Sequence, residues 1–231
     1  MRFVLLICFT AHSNVAESQP RYNAALLDTL VEISKSPTPA RYFAKLYFNA
    51  IETTNQYIST KPDSVKKFIC GFESSFAPAF FRSYNNYINR REQEIGWREY
   101  YKDTSLNRLQ YEFIGMNAHV NADMAIALHN TYDYDTLKKY KKQIIRFQHV
   151  LNKYFDSIYN TTGAYPKIKK LHLFTLGLDR SAGKKMILSW RKRQVRLALL
   201  YFTNPDKYKS NMYRLQKKRA RWNRFAHKWI Q

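Results

Sequence analysis

At 231 residues, with 45% hydrophobic and 16% aromatic side chains and only 6 Gly and 7 Pro, the chain carries ample core material, which excludes wholesale disorder and requires no more than one domain. Its formal charge is +22 and uneven: from Lys184 onward 15 Lys or Arg stand against the single acid Asp206, whereas the preceding chain carries 24 against 16. Such a field favours polyanions, among them nucleic acid, anionic lipid headgroups and acidic polysaccharides, without choosing among them, and it equally describes a solvated basic surface.

Met1-Arg2, the apolar run from Phe3 to Phe9 and the small and polar residues reaching Ser18 resemble a short signal peptide over residues 1–18. The expectation is a periplasmic or secreted protein whose mature chain is a single domain over 19–231. Cys8 follows Leu6-Ile7 rather than a small residue, which argues against a lipoprotein attachment site. Cleavage leaves Cys70 alone, so no intramolecular disulfide can form and the core must rest on packing. No later stretch approaches the roughly 20 apolar residues needed to cross a bilayer.

Helical periodicity recurs along the chain and strand-like alternation is nearly absent, which predicts an all-α, single-domain bundle of about seven helices. The first spans Tyr22 to Lys35. Thr38-Pro39 supplies a cap and a first-turn proline for a second helix ending near Ile58. Lys61-Pro62-Asp63 starts a third, which Pro78 should kink or divide before Arg90. A segment over Glu92 to Tyr101 leads to Asp103-Thr104-Ser105, capping residues that should open a central helix reaching Asn130. Asp133 or Asp135 caps the next, to Tyr159. Asn160-Thr161-Thr162-Gly163-Ala164-Tyr165-Pro166 reads as a loop, Asp179 as the cap of a helix ending near Asn204-Pro205, and the last helix continues almost to the terminus.

In that last helix Tyr208, Met212, Leu215, Trp222, Phe225 and Trp229 form one apolar stripe at helical spacing, and the aromatics are expected in the core. The other faces carry Lys209, Arg214, Lys217, Lys218, Arg221, Arg224 and Lys228, so the helix should dock by one side and present positive charge on the other. The expected face for an anionic partner comprises Arg214, Lys217, Lys218, Arg221, Arg224 and Lys228. No fixed-period repeat indicates a solenoid.

The central stretch carries the chemistry. At about 100° per residue, Glu112, Met116, His119, Asp123 and Asn130 fall in one narrow stripe. His119 and Asp123, four apart, stand at the spacing that lets two side chains meet one metal ion or each other. Asn117 and Asn121 form a second such pair on another face, beside Phe113, Met124 and Leu128. They either line a pocket or hydrogen-bond neighbouring helix backbones in a polar network. The candidate pocket is therefore Glu112, Met116, Asn117, His119, Asn121 and Asp123. A charged Asp123 facing a helical core is a costlier choice than an amide, which favours a functional role for it.

The run Gly115-Met116-Asn117-Ala118-His119-Val120-Asn121-Ala122-Asp123-Met124 resembles the signature Gly-Met-Asn-Ala-His-Ile-Asn-x-Asp-Leu of an uncharacterised bacterial family of helical proteins. That resemblance implies a shared helical fold and no mechanism. Gly115, His119, Asp123 and His129 also resemble the helix motif Gly-x3-His-x3-Asp-x3-Pro-x-His of zinc-dependent phospholipase C and the related single-strand nucleases, with Ala127 where the proline would stand. The resemblance implies that the His and Asp bind metal. A trinuclear zinc site needs more: no His lies between His12 and His119, the first Trp is Trp97, and His149 is followed four residues on by Lys153 instead of Glu.

Two functions follow, and a third reading makes the motif a structural polar core alone. One is a binding protein with a polar pocket on the central helix and a basic face for a polyanion. The other is a metal-dependent phosphoester hydrolase with a reduced site, in which Glu112, His119 and Asp123, joined by His129 or His172, hold a divalent ion such as zinc. His172, His149 and His227 read equally as ordinary core or surface histidines. No phosphate-binding glycine loop, paired-Cys metal motif or nucleophile elbow is present in the sequence.

Overall fold

A computed structural model describes residues 19–161 and 178–230, and within them the protein is all-α, as the periodicity predicts. The helices are α1 (Gln19–Lys35), α2 (Ala40–Ser59), α3 (Asp63–Ile88), the short α4 (Arg98–Lys102), α5 (Arg108–Ala118), α6 (Met124–Thr131), α7 (Tyr134–Thr161), α8 (Leu178–Thr203) and α9 (Pro205–Trp229). A single π-helical turn, His119–Asp123, joins α5 to α6 into one continuous central helix. Counted that way there are eight helices among the described residues; the addition to the expected seven is α4, from the segment read only as a connector.

The central helix is the hub. α5 lies against α2 and α9, α6 against α3 and α8, and the π turn touches α3, α8 and α9. α1 covers α2, while α7 runs along α8 and α2. Tyr111, Ile114, Ala118, Met124 and Leu128 are buried on successive faces, so this helix is enclosed rather than amphipathic. Around it Phe72, Phe80, Trp97, Tyr100, Ile69 and Trp190 are nearly inaccessible to solvent and make one continuous core.

Several local expectations change for identifiable reasons. The Asp103-Thr104-Ser105 cluster does not open the central helix: Asp103 Oδ1 accepts from Ser105 N and Oγ at 2.9 and 2.6 Å in a local turn. The cap is Asn107, in a reciprocal capping box with Gln110 at 3.0 and 2.8 Å. Pro78 does not divide α3, because Phe76, Ala77, Ala79 and Phe80 on either side of it are buried and hold the chain helical. Asp133 caps α7 through Thr136 N at 2.8 Å. Asn160 and Thr161 belong to α7, and the remainder of the expected loop, 162–166, lies outside the described residues. α8 begins at Leu178, so Asp179 falls inside its first turn rather than before it. Asn204 caps α9 by accepting from Lys207 N at 2.9 Å, with Pro205 in the first turn.

In α9 the buried line is Leu215, Arg219, Asn223, Ala226 and Ile230, not the aromatic stripe. Tyr208, Met212 and Trp222 are half-buried along one flank, Phe225 is exposed, and the side chain of Trp229 lies outside the described residues. The helix is turned so that two polar residues face the interior, where they find hydrogen-bond partners, and Phe225 is left to touch Trp222 and Phe113 from the rim. No helix among the described residues is long and apolar enough to cross a membrane.

Gly115 is where the central helix meets α2: a Cβ added there would stand 2.5 Å from Phe43 Cδ2 and 2.8 Å from Cγ. Gly115→Ala should therefore destabilise the fold by about 1–3 kcal/mol despite alanine's better helix propensity. Urea denaturation checks this, and Phe43→Leu in the same chain should restore part of the loss. An unchanged midpoint in the single variant shows that the helices can move apart freely.

Candidate functional site: a buried polar centre on the central helix

Two polar systems leave the central helix in different directions. On the face toward α8 and α9, Asn117 Nδ2 donates to Arg219 O at 3.1 Å and to Asn223 Oδ1 at 2.7 Å, while Asn121 Nδ2 donates to Asn117 Oδ1 at 2.9 Å. Gln194 of α8 closes the chain, its Nε2 donating to Asn121 O at 3.3 Å and its Oε1 accepting from Ala125 N at 3.2 Å. Further along, Gln110 Nε2 donates to Ala226 O at 3.2 Å and Asn107 Nδ2 to Ile230 O at 2.8 Å. Of the two readings of the asparagine pair, this geometry is the interhelical network: the amides are buried and spent on holding α8 and α9.

The second system is ionisable. Within the π turn His119 Nδ1 lies 3.3 Å from Asp123 Oδ2, and that oxygen also accepts from Trp97 Nε1 at 2.9 Å. Gly96 brings the preceding loop this close, since a Cβ on it would stand 2.9 Å from Ala122 Cβ. Arg219 of α9 donates to the Ile95 and Gly96 carbonyls at 3.1 and 3.0 Å; burial pulls its guanidinium below the usual arginine range and the charge of Asp123 opposes that pull.

His119 sits in an aromatic box. Its ring stacks on Phe76 at 3.5 Å with an interplanar angle of 11°, and the rings of Phe43 and Tyr47 meet it edge-on at 5.4 and 4.8 Å. Burial holds its pKa below the ordinary histidine value against the pull of Asp123, which favours the neutral ring at pH 7. With Nδ1 donating to Asp123, Nε2 is a bare acceptor, and it is buried with no hydrogen-bond partner.

Glu73 and Arg191 complete the centre. Tyr47 donates its hydroxyl to Glu73 Oε2 at 3.2 Å, and burial pushes the Glu73 carboxyl up to about 7 while the charge of Arg191 draws it back. Arg191 donates from Nε to Gln148 Oε1 at 2.7 Å and lies 5.3 Å over the Phe147 ring. Its buried Nη1 has no partner, and burial lowers its pKa to about 10. The charge of Arg191 is felt by both Glu73 and His119, which ties α3, the π turn and α8 into one electrostatic unit.

Of the expected stripe, Glu112, His119 and Asp123 are buried, Met116 is half-buried, and Asn130 is exposed. Asn130 is the next-to-last residue of α6, in the last turn before the helix ends at Thr131, and there it is exposed. Nor do the expected metal ligands converge. Glu112 accepts from Arg108 Nε at 2.7 Å, and His129 Nε2 lies 3.1 Å from the Tyr208 hydroxyl with its ring stacked on Tyr201 at 3.8 Å. His172 lies outside the described residues. Among the described residues no three His, Cys, Asp or Glu side chains stand together as a group able to hold a metal ion. The hydrolase reading thus keeps two of its ligands, His119 and Asp123, rather than a set.

Tyr47, Glu73, Trp97, Arg191, Gln194 and Arg219 take part in these networks without having been singled out from the sequence. One signal was available: Glu73 is an acid directly after the run Phe68-Ile69-Cys70-Gly71-Phe72 and three residues before Phe76, where a helix otherwise reads as core. Arg191 offered none, being one cation among many.

The fold and site define an all-α bundle whose core encloses ionisable groups from five of its helical segments. The chain belongs to a family of unknown function, DUF5995, whose model matches residues 24–227. No curated protein and no solved structure matches it.

The centre makes stability respond to pH in a defined sense. Between pH 4.5 and about 7 the unfolded chain releases the Glu73 proton and the folded chain retains it, so this group's contribution falls as pH rises through that window, by roughly 3 kcal/mol in all. His119 acts in the opposite sense: its folded pKa lies below the unfolded value of 6.5, so its contribution falls as pH drops below 6.5. In Glu73→Gln the decline in urea stability between about pH 5 and about pH 8 should shrink by that same rough 3 kcal/mol. An unaltered decline assigns the response to other groups.

Proposed function

We propose that the protein is a binding protein that presents the outer face of α9 to an anionic partner, outside the cytoplasm if residues 1–18 act as an export signal. One observation carries this reading: Arg214, Lys217, Lys218, Arg221, Arg224 and Lys228 are all exposed on a helix whose opposite side is bonded into the core through Arg219 and Asn223. The helix is thereby held in one orientation, with its cations facing solvent. Asp206 is the sole acid after Lys184, so the C-terminal sequence itself supplies little opposing charge. In this reading Asn117, Asn121 and Asp123 do not line an open pocket; they fix the platform on which the charge is displayed.

Affinity for an anionic partner should come mainly from counterion release, so it should fall steeply with salt. The full chain is titrated against a fluorescent oligonucleotide, phosphatidylglycerol vesicles and an acidic polysaccharide at several salt concentrations. Arg214→Glu, Lys218→Glu and Arg221→Glu together should weaken the preferred probe by more than about tenfold and flatten its salt slope. Binding that persists unchanged through high salt, or that ignores the triple reversal, overturns the reading.

A further inference from the structure

Away from α9, a groove of about 510 Å³ runs between α7 and α8. Its floor is aliphatic: Ile145 of α7 and Val195 and Leu199 of α8, the last two one turn apart. Its walls are cationic on both sides, Lys141, Lys142 and Arg146 from α7 facing Lys192 and Arg196 from α8. All five cations are exposed, and among the described residues none of them is in an ion pair. Lys142 and Arg146, like Lys192 and Arg196, are four apart, so each wall repeats its charge after about one helical turn. Among the described residues, no acidic side chain and no aromatic ring lines the groove.

This combination discriminates among anionic partners. A nucleic acid strand brings repeated charge, but a groove whose described lining holds no aromatic ring offers no described surface on which bases stack, and an aliphatic floor does nothing for phosphates. A single-chain amphiphile suits the floor but brings one head group to five cations on two walls. An acidic amphipathic peptide supplies both parts, with aliphatic side chains for Ile145, Val195 and Leu199 and carboxylates on either side for the two walls. We propose that the α7–α8 groove is a docking site for an acidic, aliphatic-rich segment of a partner protein, separate from the α9 face and independent of its role.

The test uses the full chain and a fluorescein-labelled peptide alternating Leu and Glu, followed by anisotropy at moderate salt. The expected result is saturable one-to-one binding that drops about tenfold in Lys142→Glu with Arg196→Glu. It should drop comparably in Leu199→Ser, which removes floor and keeps charge. The same peptide with Ser in place of Leu should bind about tenfold more weakly, and the α9 triple reversal should leave the Leu-Glu affinity nearly unchanged. Circular dichroism and urea midpoints confirm that the variants fold, the two charge reversals being at exposed positions. Absence of binding overturns the proposal. So does equal affinity for the Ser-Glu peptide or for oligothymidylate, which would make the groove a general anion surface. Loss of binding in the α9 variant with retention in the groove variant would move the site to α9.

Discussion

Burying Arg219 is the constraint on which the C-terminal part of the molecule depends. A guanidinium in a core must find acceptors at fixed positions, and here they come from distant parts of the chain: the carbonyls of Ile95 and Gly96 and, through space, the charge of Asp123. Those acceptors exist only if the loop before α4 is drawn in against the π turn, which Trp97 achieves by donating to the same Asp123. The carbonyl of Arg219 in turn receives Asn117, so the residue ties α9 to the central helix by its backbone and to the loop by its side chain. Sliding α9 by one residue would break these bonds together, which gives this seam a register that apolar packing alone would not impose.

The same economy governs the other side of the central helix. Replacing Glu73, His119 and Arg191 by apolar residues would remove desolvation penalties, yet the fold keeps all three and surrounds them with aromatic rings instead of water. Each satisfies part of its hydrogen-bonding capacity: Glu73 from Tyr47, His119 at Nδ1, Arg191 at Nε. What is left over, His119 Nε2 and Arg191 Nη1, is buried. The π turn is what allows one helix to serve both systems. It keeps Asn117 and Asn121 facing α8 and α9 while His119 and Asp123 face Phe76 and Trp97, a division of faces for which π-bulges in helices are suited.

Periodicity was enough to read the fold class, most helices, the cap of α7 as Asp133 or Asp135 and the outward basic face of α9, because each depends on residues within one or two turns. The amide network was legible as one of two alternatives, since buried Asn must find partners. The π turn was not legible, because an inserted residue leaves the apolar spacing of Met124 and Leu128 intact. Phe225 stands at the right spacing too, and an aromatic outweighs Arg219 and Asn223 in any hydrophobic count, yet those two find buried hydrogen-bond partners while Phe225 meets Trp222 and Phe113 only from the rim. Two metal candidates found other uses nearby, Glu112 on Arg108 and His129 on Tyr208, pairings that spacing alone does not rank against a shared ion.

Arg191 and Lys192 show where reading one segment must stop. They are adjacent cations on α8, one buried over Phe147 and bonded to Gln148, the other exposed on the wall of the groove. Nothing within the turn distinguishes them. The difference lies in α7 and α3, which bring Gln148 and Glu73 to one side of α8 and Lys141, Lys142 and Arg146 to the other. A helix charged on every side thus has two unlike faces once its neighbours are placed: inward, Arg191 meets an acceptor on α7 that fixes the helix; outward, cations gather with few acids among them. The basic charge of the C-terminal third is accordingly of two kinds, and only the outward kind is open to a partner.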